Sequence, residues 1–139
     1  MARTTFNGPV VSQNGFIDGH QVAAANAINA TATATAAQVA TGYITSTSAA
    51  ATIITLPTGT LLGAALSATQ GTTLDLFIDN TAGASTVTVA VATNGILSTA
   101  AADTAGSFGD LTVASGVTGL ARFTLMFSSA TAYVFTRTA

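Results

Sequence analysis

From Gln38 to the end of the chain, apolar residues return at every second position in short runs, and each run stops at Gly, Asn, Ser or Pro. A period of two is the mark of a strand with one face buried and one exposed. "TTLDLFIDN" sets Leu74, Leu76 and Ile78 on one face and Thr73, Asp75, Phe77 and Asp79 on the other. "LARFTLMFS" does the same with Ala121, Phe123, Leu125 and Phe127 against Leu120, Arg122, Thr124 and Met126. "QVATGYITS" puts Val39, Thr41 and Tyr43 opposite Ala40, Gly42 and Ile44, and "ATIITL" follows as its neighbouring strand. "STVTVAV" ends at Asn94-Gly95, a hairpin signal that returns the chain along "ILSTA", and "LTVAS" and "AYVFTRT" complete the set.

One stretch breaks this rhythm. In "TLPTGTLLGAAL", Pro57 ends a strand because it has no N–H to give to a ladder, and Thr58 or Thr60 can cap a short helix. Leu61, Leu62, Ala65 and Leu66 fall on one side of it, as expected for a corner that plugs one end of a β structure.

Composition agrees with an all-β chain. Ala and Thr make up roughly two-fifths of the residues, and only 6% are charged against a usual ~25%. Every acid is Asp and every base is Arg, so the Glu and Lys that helices favour on exposed faces are absent. Strands at this regular spacing predict a jelly-roll-like β-sandwich of about eight strands over residues 36–139, with one short helix. Residues 1–35 read as an extended N-terminal arm, because Gly8, Pro9, Gly15 and Gly19 punctuate "FNGPVVSQNGFIDGHQ" and a small-residue run follows. Within that run Val22 to Ala30 is a candidate short helix, and the Thr/Ala alternation from Ala30 to Ala36 suits a strand or an arm paired on a neighbour.

The chemistry-bearing residues form no recognisable constellation. His20 stands beside Asp18 in the arm without a nucleophile-elbow pattern, and is read as exposed or as an intersubunit contact. On a strand Asp75 and Asp79 share a face on the order of 13 Å apart. That is wider than the roughly 5 to 9.5 Å of paired glycosidase carboxyls, so Asp75 is read as a solvated strand residue and Asp79 with Asn80 as turn-formers. Asp103 and Asp110 flank a loop that lacks a calcium-loop pattern. "GSFG" and "GVTG" are turns rather than phosphate loops, and "NAT" at Asn29 is an accidental sequon. Phe123, Phe127 and Phe135 are expected in the core, not on a sugar-binding platform.

The expectation is therefore a non-enzyme without metal or cofactor. A net charge of -2 with Arg3, Arg122 and Arg137 far apart offers no footprint for nucleic acid. The interval between Asp18 and Asp75 never runs to ~20 consecutive apolar residues, so no membrane span is expected. Without Cys no disulfide or thiolate contributes, and the opening "MARTTFNGPVV" lacks the apolar region of a secretory signal.

The order of pieces carries a resemblance. "ITLPTGT", the apolar helix "LLGAAL", Gly71, "TTLDLFIDN", "TAGASTVTVAVATNG" and "ARFTLMFSSATAYVFTR" resemble, in that order, compact β domains of tailed-phage virion proteins, head decoration (cement) proteins above all. The likeness covers about residues 36–139, and "FNGPVVSQNGF" is similar to N-terminal segments of phage structural proteins. Thr72 stands where those domains have an acidic residue after the Gly. The resemblance implies a homotrimer on the outer surface of the capsid, made in the host cytoplasm, that clamps neighbouring major capsid proteins. Phe6, Pro9, Val10, Phe16 and Ile17, apolar residues in an otherwise unstructured arm, are the expected capsid contacts. A tail-fibre or tail-tip module for host attachment shares the same scaffold, and a glycan-binding or glycan-cleaving module is a third reading.

Overall fold

The computed structural model describes residues 26–97 and 111–139. In chain order the elements are β1 (Ala32–Thr33), α1 (Ala36–Ala40), β2 (Tyr43–Thr45), β3 (Thr52–Thr55), α2 (Gly59–Leu66), β4 (Thr73–Asp79), β5 (Val87–Ala90), β6 (Gly95–Leu97), β7 (Thr112–Val113), β8 (Leu120–Ser129) and β9 (Ala132–Arg137). They form two sheets, one in the order β1-β3-β5-β7 and the other β2-β4-β8-β9-β6. The all-β, two-sheet expectation holds.

The pairing is less conventional. From β1 to β8 each strand lies in the opposite sheet from the one before it, so the chain winds back and forth across the core. Parallel neighbours need a crossover connection, and here the crossover passes through the other sheet. β1, β3 and β5 stack in parallel in one sheet while β2 and β4 stack in parallel in the other. α1 and α2 each carry the chain from the first sheet to the second, and they pack on one another. This is two turns of a short coil, closed by the antiparallel run β4-β8-β9 and the antiparallel pair β5-β7. A jelly roll is built from antiparallel Greek keys, and that order appears here only in the closing strands.

Three local expectations change with this topology. Asn94 does turn the chain, with φ at 63°, but β5 and β6 do not pair; β6 runs parallel to β9 at the far edge of the other sheet. β2 and β3 likewise lie in different sheets. Residues 36–40 form a helical turn rather than a strand, because Thr35 accepts from the Gln38 N–H at 3.1 Å while the Thr35 N–H donates to Gln38 Oε1 at 2.8 Å. That reciprocal pair is a capping box.

Residues 26–35, grouped with the arm by composition, pack into the domain. Ala27 bridges to Thr45, β1 pairs with β3 of its own chain, and Ile28 and Ala34 are buried. The candidate helix over 22–30 is not helical in its described part, 26–30, where Ala27 makes a β-bridge.

The core divides its volume unequally. Phe123, Phe127, Tyr133 and Phe135 come from the five-stranded sheet, and Ile54, Val87, Val89 and Val113 face them from the other. Phe123 and Phe135 stack with centroids 4.9 Å apart, and Phe127 and Tyr133 tilt against each other at 5.8 Å. Arg137 reaches across the sandwich edge, donating from Nη1 to the Thr112 carbonyl at 2.9 Å with its guanidinium 6.0 Å from the Phe123 ring centre. α2 covers one end. Its buried positions are Gly59, Leu62 and Gly63, whereas Leu61 is exposed, so the predicted Leu61/Leu62/Ala65/Leu66 face is rotated toward the two glycines.

The fully buried Tyr133 hydroxyl donates to the Pro57 carbonyl at 2.9 Å, tying β9 to the start of α2. Tyr133→Phe is expected to cost about 1 kcal/mol at neutral pH. Burial also pushes this phenol up to about 12. An unfolded tyrosine ionises near 10, so the unfolded state gives up its proton first; stability is intact below about pH 10 and falls as pH climbs toward 12. Urea titrations on either side of that window should show a loss in the wild type that is smaller in Tyr133→Phe.

Candidate interaction surface

The inward side chains of the five-stranded sheet close the core, which leaves its outward side chains to face solvent. Register assembles them into rows. Tyr43, Phe77 and Arg122 stand side by side across β2, β4 and β8, and Thr45, Asp79 and Leu120 form the row next to them. Asp75, Thr124 and Thr136 lie on the other side, followed by Thr73, Met126, Val134 and Ile96. Phe77 is 37% exposed, Met126 49%, Leu120 53% and Ile96 56%, so the large apolar side chains of this face are uncovered. An isolated exposed Leu is ordinary, but several on one flat face mark a contact surface.

Hydroxyl groups dress the charges on the face. Tyr43 donates to Asp79 Oδ2 at 2.6 Å, and Thr81 donates to Asp79 Oδ1 from both its hydroxyl, at 2.7 Å, and its backbone N–H, at 3.0 Å. The Thr81 hydroxyl, then Tyr43, holds the Asp79 carboxyl below the usual carboxylate range. The same contact raises Tyr43 above an ordinary phenol. Thr124 donates to Asp75 Oδ1 at 2.7 Å, and Arg122 Nε donates to Thr138 Oγ1 at 3.2 Å.

Outward residues of the four-stranded sheet give a different surface. Thr33, Thr55 and Ala90 align across β1, β3 and β5, and Ile53, Thr88 and Thr112 form the adjacent row. It is neutral and mostly hydroxyl.

Asp75 and Asp79 take the places read for them, Asp75 exposed on its strand and Asp79 at the turn, where it accepts from Thr81. Asn80 does more than make a turn, as its buried amide donates to the carbonyls of Ser85, Val113 and Ala114. Phe6, Pro9, Val10, Phe16 and Ile17 lie outside the described residues, as do Asp18, His20, Asp103 and Asp110. Among the described residues, no three of His, Cys, Asp or Glu gather as metal ligands, and no helix is long and apolar enough to cross a membrane. The outward residues of β4 and β8 were visible in the alternation; that Phe77 meets Arg122 and Tyr43 depends on a pairing register between distant segments.

No protein family, curated protein or solved structure matches this chain.

Proposed function

We propose that this chain is a structural virion protein that decorates the outer surface of a phage capsid and stabilises it by bridging neighbouring major capsid proteins. The observation that carries the reading is the exterior: two broad faces with few charges, rich in Thr hydroxyls and set with uncovered apolar side chains such as Ile53, Leu120 and Met126. Such faces suit wide, neutral protein contacts better than the steering of a charged ligand. The ordered turn and packing motifs from "ITLPTGT" to the terminal "AYVFTR" support the same assignment, with the two-sheet β domain as the body. Phe6, Pro9, Val10, Phe16 and Ile17 are the proposed capsid contacts.

Co-sedimentation of the full chain with empty expanded heads tests this. Saturable binding to expanded heads, weakened at least ten-fold by Phe16→Asp with Ile17→Asp, is the expected result. Binding to isolated tails or to host polysaccharide with none to heads would overturn it in favour of a tail-fibre or tail-tip module.

A further inference from the structure

The outer face of the five-stranded sheet holds both halves of an ion pair that the described residues do not close among themselves. Arg122 stands directly opposite Phe77, and Asp75 and Asp79 lie two residues to either side of Phe77 on the same face. In a single sheet that diagonal relation is within reach of a long side chain. Yet the Arg122 guanidinium goes to the Thr138 hydroxyl, the carboxylates take their hydrogen bonds from Thr124, Tyr43 and Thr81, and Arg122 pairs with neither Asp among the described residues. The surrounding apolar side chains, Met126, Leu120 and Ile96, are about half exposed.

We propose that a second copy of this chain docks on this face as a two-fold pair, with Arg122 of each copy seated over Phe77 of the other, between Asp75 and Asp79. A half-turn about an axis lying in the face, along the strands and between β4 and β8, exchanges those two strands and keeps each residue at its level. The register then brings the second copy's Arg122 over Phe77, with each carboxylate-bearing residue roughly 7 Å along the strand. The ring adds a cation–π contact, and the symmetry repeats the arrangement on the other side, as an isologous interface requires. About this axis β4 and β8 cover one another, over the seven paired levels from Thr73 and Met126 to Asp79 and Leu120. The pairing uses the Leu120 and Met126 surface and leaves the outer face of the four-stranded sheet, with Ile53, for capsid contact; it differs from the threefold association that the phage resemblance implies.

Light scattering on the full chain tests it, with circular dichroism as the check on folding. Wild type should show twice the 13.6 kDa chain mass. Arg122→Asp places a third acid between the two carboxylates and should give a folded monomer, and Met126→Asp should do the same without touching the ion pair. Asp75→Arg added to Arg122→Asp should bring the pair back. A wild-type mass of one or three chains, full pairing by folded Arg122→Asp and Met126→Asp, or a monomeric double variant would each overturn the proposal.

Discussion

Gly63→Ala should lower the free energy of unfolding by about 3 kcal/mol, the upper range for overpacking, even though helix propensity alone would raise it by about 1. The reversal comes from the tip of the β8–β9 hairpin. A Cβ at Gly63 would fall inside the van der Waals envelope of the Ala130 carbonyl oxygen and press on the Phe127 ring. The carbonyl belongs to backbone and cannot swing aside as a flexible side chain would. Gly59, one turn earlier, is similarly closed by the carbonyls of Thr131 and Asn94, so α2 cannot tilt away at one end to make room at the other. Ala64→Gly, on the exposed side of the same helix, is the control and should cost about 1 kcal/mol from propensity alone. Urea midpoints at constant slope decide the matter. A Gly63→Ala protein as stable as wild type would mean that α2 does not lie against the hairpin.

Asn80→Asp is expected to be at least as damaging, at about 3–5 kcal/mol, the penalty for an uncompensated buried charge. Asn80 is fully buried where β4 ends, and its Nδ2 donates to the carbonyls of Ser85 at 2.8 Å, Ala114 at 2.9 Å and Val113 at 3.3 Å. One amide thus joins the end of β4 in the five-stranded sheet to the approach to β5 and the end of β7 in the other sheet. Asp has nearly the same shape, so no cavity confuses the result. It replaces the donor by an oxygen facing three carbonyl oxygens. Asn80 Oδ1 has no partner among the described residues and lies against Gly83, where a Cβ would collide with it, so the substituted carboxylate has no room to turn away. For a chain of this size each kcal/mol moves the melting temperature by roughly 3–4 °C, so a fall of about 10 °C or more is expected. The deficit should shrink in acid, where the protonated carboxyl regains one donor. A melting temperature equal to that of the wild type would show that the amide does not hold the two sheets together.

The candidate surface was half legible. Alternation in "TTLDLFIDN" and "LARFTLMFS" predicted which residues of β4 and β8 face outward, and burial follows it residue by residue. Those two runs are long enough for period two to be unambiguous. Shorter segments misled for identifiable reasons. "QVATG" alternates as well as a strand does, but the Thr35/Gln38 capping box, equally present in the letters, wins because α1 must carry the chain from one sheet to the other. Asn94-Gly95 reads as a hairpin because turn chemistry governs the local reversal; it says nothing about which strand the chain meets afterwards.

The class of structure and the inside and outside of the long strands are legible in the letters alone, since hydrophobic period, proline, caps and turn residues act over a few positions. Long-range packing sets the rest: that strands β1 to β8 alternate between sheets, that β1, β3 and β5 stack in parallel, and that Arg122 stands beside Phe77 with Asp75 and Asp79 flanking it. Those are pairings between segments tens of residues apart. They are chosen by how well aromatic and β-branched side chains fill one shared core, and by buried groups such as the Asn80 amide that are satisfied in a single arrangement.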